Sequence, residues 1–334
     1  MKMIINIAGM GDYIMNRKKM STLLVAMSLA VGALAGCSGG AKETVKKEDK
    51  AEAKNQAGSV KIKHEWGETE LKETPKNIVT LDFSFIDTLV DLGVTPVANA
   101  GVGKTKIPEY LQDKASKVKD VGERKAPNLE VISSVKPDLI IASKDRHNMI
   151  QKELKDIAPT IAFDDNSYEE VMKNMDTIAK AVGKEEQAKK IRTELQDKIS
   201  KAKEKVTGNP TVLVIGAFDD EFSVWIKDSF IGSLMTDVGV KYVYEGKKEK
   251  TEGKAEIAKI TMERLNEINP DYIFLYGENV EKFKNNPLYN NLKAVKEKHV
   301  IDVDRNLWAR GRGPIAANKI LDEALPALTG QSSK

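Results

Sequence analysis

The chain has 334 residues, 41% of them hydrophobic, and a formal net charge of +3, which is long for one domain and enough for two hydrophobic cores. The positive excess lies in the first 36 residues, where Lys2, Arg17, Lys18 and Lys19 face Asp12. Taking those four cations and one anion from totals of 53 and 50 leaves 49 of each, a balance that argues against a nucleic-acid binder, which needs a basic face.

Asn16-Arg17-Lys18-Lys19 is a positive segment, and residues 23–34 form an apolar run of about 12 residues, too short to span a bilayer as a helix. Leu34-Ala35-Gly36-Cys37 follows with small residues and resembles a bacterial lipobox, which implies a signal peptide over 1–36 and diacylation of the Cys37 sulfur. Residues 1–14 do not fit such a peptide, so Met15 or Met20 is the better start. Cys37 is the only cysteine, which leaves no thiol for a disulfide or a metal site once it carries lipid. Residues 37–59 hold almost no large apolar side chain and read as a flexible tether with roughly 25 Å of reach.

Beyond residue 60, short apolar runs alternate with amphipathic stretches, the pattern of α/β layers. Strands are predicted over 78–81, 96–100 and 139–142 and helices over 85–92 and 166–182, the latter with Val171, Met175, Ile178 and Val182 on one face. Gly183 ends that helix. A second runs over 184–207, with Ala188, Ile191, Leu195, Ile199, Ala202 and Val206 at helical spacing and charges nearly everywhere else. It makes a rod of roughly 30 Å. On either side of it lie two similar units. Residues 129–141 align without gaps on 262–274, and in both a helix carries a glutamate, Glu130 or Glu263, seven residues before a Pro-Asp turn that launches an apolar strand. An N-terminal lobe over 60–183 and a C-terminal lobe over 208–334 are therefore expected to face one cleft.

Enzyme signatures are weak. Gly101-Val102-Gly103-Lys104-Thr105 lacks the first glycine of a phosphate loop, Ala98 standing in its place, and Pro108 interrupts the helix that should follow. Asp164-Asp165 and Asp219-Asp220-Glu221 read as solvated loop charges. His64, His147 and His299 are far apart, so no bare transition-metal site is expected and any metal should arrive already chelated.

Arginine carries more information. Only eight of the 53 basic residues are arginines, yet Arg305, Arg310 and Arg312 fall within Asp304-Arg305-Asn306-Leu307-Trp308-Ala309-Arg310-Gly311-Arg312-Gly313. A planar guanidinium fork suits carboxylates and other oxyanions, Trp308 adds a flat face, and the two glycines permit close approach or positive φ. Arg146 and His147 follow the strand at 139–142, at the carboxyl end where open α/β sheets bind ligands. Arg124 lies just before the first repeat unit. Trp225, after the run 212–217, either lines the same cleft or belongs to the core.

The order of lipobox, tether, α/β lobe, single long helix and second α/β lobe resembles the helical-backbone (class III) substrate-binding lipoproteins of iron-siderophore and vitamin B12 ABC importers. Within that class the chain is most similar to the ferric dicitrate-binding proteins, through residues 81–87, Val121-Gly122-Glu123-Arg124, residues 136–142 with Arg146-His147, and residues 306–313. The resemblance implies capture of anionic ferric citrate outside the membrane and delivery to a permease and its ATPase. Arg124, Arg146, Arg310 and Arg312 would grip citrate carboxylates, with Ser84, His147, Trp225 and Trp308 as neighbours. Glu130 and Glu263 would dock onto the permease, one per lobe. It further implies a monomer held at the outer face of the cell membrane by lipid, without a cofactor, iron entering only as a chelate. Gly311, Pro314 and the loop 244–258 depart from the Gram-negative pattern. Another anionic ferric siderophore, citrate-based or catecholate, is the alternative ligand. A surface-anchored enzyme on an acidic substrate and a structural adhesin are alternatives of other classes.

Overall fold

The computed structural model describes residues 59–218, 221–246, 256–278 and 280–330. The signal peptide, Cys37, all but the last residue of the tether, and Asp219-Asp220 lie outside them.

A hairpin of β1 (Val60–His64) and β2 (Gly67–Leu71) precedes the first sheet. That sheet comprises β3 (Ile78–Thr80), β4 (Ala98–Gly101), β5 (Lys119–Glu123), β6 (Ala126–Pro127), β7 (Leu139–Ser143) and β8 (Thr160–Phe163), in the order β6-β5-β4-β3-β7-β8. All its pairings are parallel except β5 with β6. The second sheet comprises β9 (Thr211–Phe218), β10 (Glu221–Trp225), β11 (Lys241–Tyr242), β12 (Ile257–Ile260), β13 (Tyr272–Gly277) and β14 (Val300–Asp302), in the order β12-β10-β9-β13-β14 with β11 also on β9. Strands β3, β7 and β9 are apolar almost throughout because helices cover both faces of a parallel sheet.

The predicted helix starts shift with their caps. The helix expected over 85–92 is Phe83–Asp91, because Asp82 accepts the Phe83 amide. That expected over 166–182 is Tyr168–Val182, since Ser167 and Glu170 form a reciprocal capping box. The connecting helix is Glu185–Lys205, with Ala188, Ile191, Leu195 and Ala202 buried as the spacing requires. The internal repeat is structural as well as sequential. The helix Leu129–Ser134 precedes β7 and the helix Met262–Ile268 precedes β13. The aligned residues Lys136 and Asn269 both take positive φ, 49° and 44°. The aligned aspartates both tie their turn to the lobe's first parallel strand. Asp138 accepts the amides of Lys76 and Asn77 at 2.8 and 2.9 Å, and Asp271 accepts the amide and hydroxyl of Thr211 at 2.7 and 2.6 Å.

The chain has material enough for two hydrophobic cores, and its largest buried cluster runs through both lobes. Phe85, Leu89 and Met172 of the first lobe belong to the same buried cluster as Leu195 of the connecting helix and Leu213, Ile320 and Leu321 of the second. The C-terminal helix Pro314–Leu328 contributes to this merger by packing on the helix Phe83–Asp91 and on the connecting helix, and the helix Tyr168–Val182 also packs on the second-lobe helix Phe230–Asp237. A second cluster, with Val79, Ile140 and Leu154, belongs to the first lobe alone.

Burial opposes ionisation of Asp271, but Lys293 and Thr211 outweigh it and hold its carboxyl down to about 2. With the folded-state value depressed, its stabilisation is complete above the unfolded value near 3.8 and is lost as pH falls toward 2. Asp271→Asn should therefore unfold earlier at pH 7, by about 1 kcal/mol, and differ little from wild type near pH 2. Thermal unfolding across that range measures the difference, and a constant gap at every pH would remove the charge from the explanation.

Candidate functional site

The carboxyl ends of the parallel strands deliver charged side chains to the junction of the lobes. After β3 comes Asp82, fully buried at the start of its helix. After β5 comes Arg124, whose Nη1 lies 3.1 and 3.3 Å from the two Asp82 oxygens. After β7 comes Arg146, 3.3 Å from Asp82 and 3.7 Å from Asp165. Asp165 follows β8. Arg312, from the stretch after β14, donates through Nη1 to the Asp165 carbonyl at 3.0 Å and carboxylate at 3.4 Å, and through Nη2 to Glu256 at 2.6 Å. Strands β8 and β14 hold equivalent places in the two sheets, so the central inter-lobe contact joins matching loops.

Burial works against the charge of Asp82, yet Arg146, Arg124 and Arg312 keep its carboxyl below the ordinary range. Arg312 also loses solvation, but Glu256 and Asp165 raise its pKa. Arg310 is held differently. Its Nη1 donates to the Asn306 side chain at 2.8 Å, and among the described residues it makes no ion pair. Burial, Arg305 and Arg124 all lower its pKa, so it is the guanidinium here whose charge is least compensated. Buried polar atoms without a partner gather in the same place: Ser84 Oγ, Arg124 Nε, Asp165 Oδ2, Asn166 Nδ2 and Glu256 Oε1.

Three expected ligand neighbours take other roles. Trp308 is 1% exposed, stacks on Phe274 with centroids 4.6 Å apart, and donates its indole N–H to Glu323; it is a core residue of the second lobe. His147 is fully buried. Its Nδ1 accepts the Ser143 amide at 3.0 Å, so Nε2 carries the proton and donates to the Arg124 carbonyl at 2.6 Å; burial lowers its pKa, and the neutral ring braces Arg124. Trp225 is buried too, its indole N–H on the Tyr276 hydroxyl at 2.8 Å, but its ring lies 5.6 Å from the Arg312 guanidinium carbon and floors the cluster. Asp165, expected as a solvated loop charge, is buried because two guanidiniums surround it. Glu130 and Glu263 are exposed in the first turns of the matching helices Leu129–Ser134 and Met262–Ile268.

The sequence reading missed Glu256, which sits in a loop without a motif, and left Asp82 and Asp87 without roles inside a quoted stretch. Asp87, fully buried in the first lobe, accepts the amides of Ile315 and Ala316 at 2.9 and 3.0 Å and so caps the C-terminal helix that follows Arg312. Its burial raises its pKa well above the ordinary value. Gly311 and Gly313 make this junction possible. A Cβ on Gly311 would lie 2.4 Å from the Leu307 carbonyl, and one on Gly313, at φ +148°, would lie 2.2 Å from Asp87 Oδ1.

Two α/β lobes joined by one long helix, with the strand ends facing each other, define the class III substrate-binding fold. The chain belongs to the periplasmic binding protein family, whose model matches residues 78–307. YhfQ of Bacillus subtilis (strain 168), assigned as an ABC transporter substrate-binding lipoprotein, is 37% identical over 90% of this chain and 96% of its own length. The Fe(3+)-citrate-binding protein YfmC of the same organism is 35% identical over 88% of this chain and 92% of its own. Among solved structures, Staphylococcus aureus SirA complexed with staphyloferrin B superposes with a TM-score of 0.70 at 28% identity, covering 80% of this chain and 98% of that one. This is the family of siderophore- and ferric-citrate-binding components of ABC importers. No helix among the described residues is long and apolar enough to cross a membrane.

Gly313→Ala should destabilise by about 2 kcal/mol or more, through strain and a displaced cap. Gly330→Ala, at φ +66° with open space around the added carbon, measures a left-handed position without a clash. Equal losses in chemical denaturation would show that the contact with Asp87 contributes nothing.

Proposed function

We propose that this chain captures an anionic ferric citrate complex between its lobes and delivers it to a membrane permease and its ATPase for iron uptake. The observation that carries this reading is the convergence of Arg124, Arg146, Arg310 and Arg312 from both lobes, with Arg310 free of any carboxylate among the described residues. In a partly buried site such charges attract an anion more strongly than in open water. Arg310 and Arg124 are the first contacts, Ser84 Oγ and Arg124 Nε supply unspent hydrogen-bonding capacity, and Trp225 packs beneath Arg312. Iron enters as part of the ligand, with no resident cofactor. Cys37 carries the lipid that holds the protein, as a monomer, at the outer face of the cell membrane. Glu130 and Glu263, one on each copy of the repeat, meet basic residues of the permease. YfmC, by its name, binds the same ligand. The likeness to SirA favours a second reading, another anionic ferric siderophore in the same site.

An enzymatic role finds little support, because both nitrogens of His147 are engaged and the Ser84 hydroxyl has no base beside it.

The test is a fluorescence titration of the purified lipoprotein in detergent with ferric citrate, iron-free citrate and a ferric catecholate, with Trp225→Phe as the control for the reporting side chain. Saturable quenching by ferric citrate alone supports the reading. Tight binding of the catecholate without ferric citrate transfers the protein to the second reading. Arg310→Ala should weaken ferric citrate binding roughly tenfold or more, the effect of losing a charged hydrogen bond. Glu130→Ala with Glu263→Ala should leave binding unchanged and abolish iron uptake in cells; normal uptake would remove both glutamates from docking.

A further inference from the structure

The three carboxylates of the cluster are not held alike. Asp82 accepts the Phe83 amide at 2.7 Å and faces Arg124 and Arg146, so it is part of the helix start as well as an ion-pair partner. Asp165 engages Arg312 through both backbone and side chain and also faces Arg146. Among the described residues Glu256 has one guanidinium partner, Nη2 of Arg312 at 2.6 Å, and its Oε1 is buried with no partner. It is tied to the second lobe by its carbonyl, which accepts the Ile226 amide at 2.9 Å, and it enters the edge strand β12. Three charged groups face its carboxylate: Arg312 from the stretch after β14, Asp165 from the loop after β8, and Arg146 from the turn after β7.

We propose that Glu256 is an internal stand-in for a ligand carboxylate, occupying the place on Arg312 that an anionic ligand takes over, and that it thereby sets the affinity and anion selectivity of the site. This rests on the reading of the cluster as the ligand site. A carboxylate of the incoming chelate exchanges with Glu256 on Arg312 Nη2, so the buried guanidinium is never left without an anion. Of the three carboxylates, Glu256 is the one that, among the described residues, neither caps a helix nor bridges two guanidiniums. A neutral or cationic chelate has nothing to offer in exchange and is refused, which gives selectivity through a competing group as well as an attractive one.

Protonation acts in the same direction as exchange. Burial and the neighbouring Asp165 raise the pKa of Glu256 against the pull of Arg312. As pH falls into that raised range, Glu256 loses its charge and its competition with a ligand carboxylate for Arg312 weakens. Arg312 stays charged throughout.

The experiment titrates wild type, Glu256→Gln and Glu256→Ala, as the purified lipoprotein in detergent, with ferric citrate and with iron-free citrate between pH 7.5 and pH 5. Thermal unfolding confirms that each variant is folded. The expected result is binding of ferric citrate about tenfold tighter in Glu256→Gln at pH 7.5, the scale of one close charge pair. Its pH slope should be flatter than that of wild type, with Glu256→Ala following the same direction. A folded Glu256→Gln that binds equally or more weakly, with the wild-type pH slope, overturns the stand-in and makes Glu256 a fixed part of the binding surface. Failure of the underlying reading looks different. If wild type ignores ferric citrate while Glu256→Gln gains affinity for iron-free citrate, the stand-in holds and the ferric citrate assignment falls. If no form binds either anion at millimolar concentration, both fall.

Discussion

Arg124, Asp82, Arg146, Asp165, Arg312 and Glu256 form one alternating chain of ion pairs that crosses from the first sheet to the second. An isolated charge buried as deeply as Asp82 or Arg312 would cost several kcal/mol, so each is tolerated only because its neighbour has the opposite sign. This constraint runs through the architecture. Parallel strands must end at the junction so that the residues after β3, β5, β7 and β8 can meet those after β14. Arginine is needed rather than lysine because a guanidinium can contact two acceptors at once, as Arg312 does with Asp165 and Glu256.

The same helix serves both ends of the inter-lobe contact. Phe83–Asp91 begins at Asp82, which receives Arg124 and Arg146, and a turn later it presents Asp87 to the first amides of the C-terminal helix. The Arg310–Gly313 stretch is thus fixed on one side by Trp308 packing on Phe274 and on the other by Asp87. With the core continuous through both lobes and the connecting helix, the junction has little freedom for a wide hinge. Small shear or side-chain rearrangement is the motion this packing allows.

Much of this was legible in the sequence, and the division has physical reasons. The connecting helix was readable because its apolar spacing is local, and the two lobes because the Pro-Asp units repeat with identical spacing. In the structure the aspartates make equivalent bonds and the residues before the prolines share a positive φ. The arginines singled out in the sequence, Arg124, Arg146, Arg310 and Arg312, come together at the junction of the lobes. What each arginine contacts was not readable, because Asp82, Asp165 and Glu256 are scattered over 175 positions of chain and only the packed sheets bring them together. An aspartate pair in a loop looks the same in sequence whether water or two guanidiniums surround it. Trp308 was misplaced for a related reason. A tryptophan beside arginines can face either way from its short helix, and Phe274 and Glu323, distant in sequence, settle which.

Charge counting then limits how such a site can work. Among the described residues four guanidiniums face three carboxylates, so before any ligand arrives their charges exceed neutrality by one, on Arg310. Simple attraction by bare positive charge is therefore a poor description of how a multiply charged chelate would be held. Its carboxylates must compete with oxygens already in place, and the net gain is the difference between two similar contacts. Exchange of the kind proposed would keep the buried arginines paired in both states and so preserve the fold of the empty protein. It also gives the protein's own carboxylates a way to recover the arginines as a ligand departs. A site built on exchange sacrifices some affinity relative to an uncompensated one, and a carrier that must surrender its cargo is better served by that compromise than by the tightest possible grip.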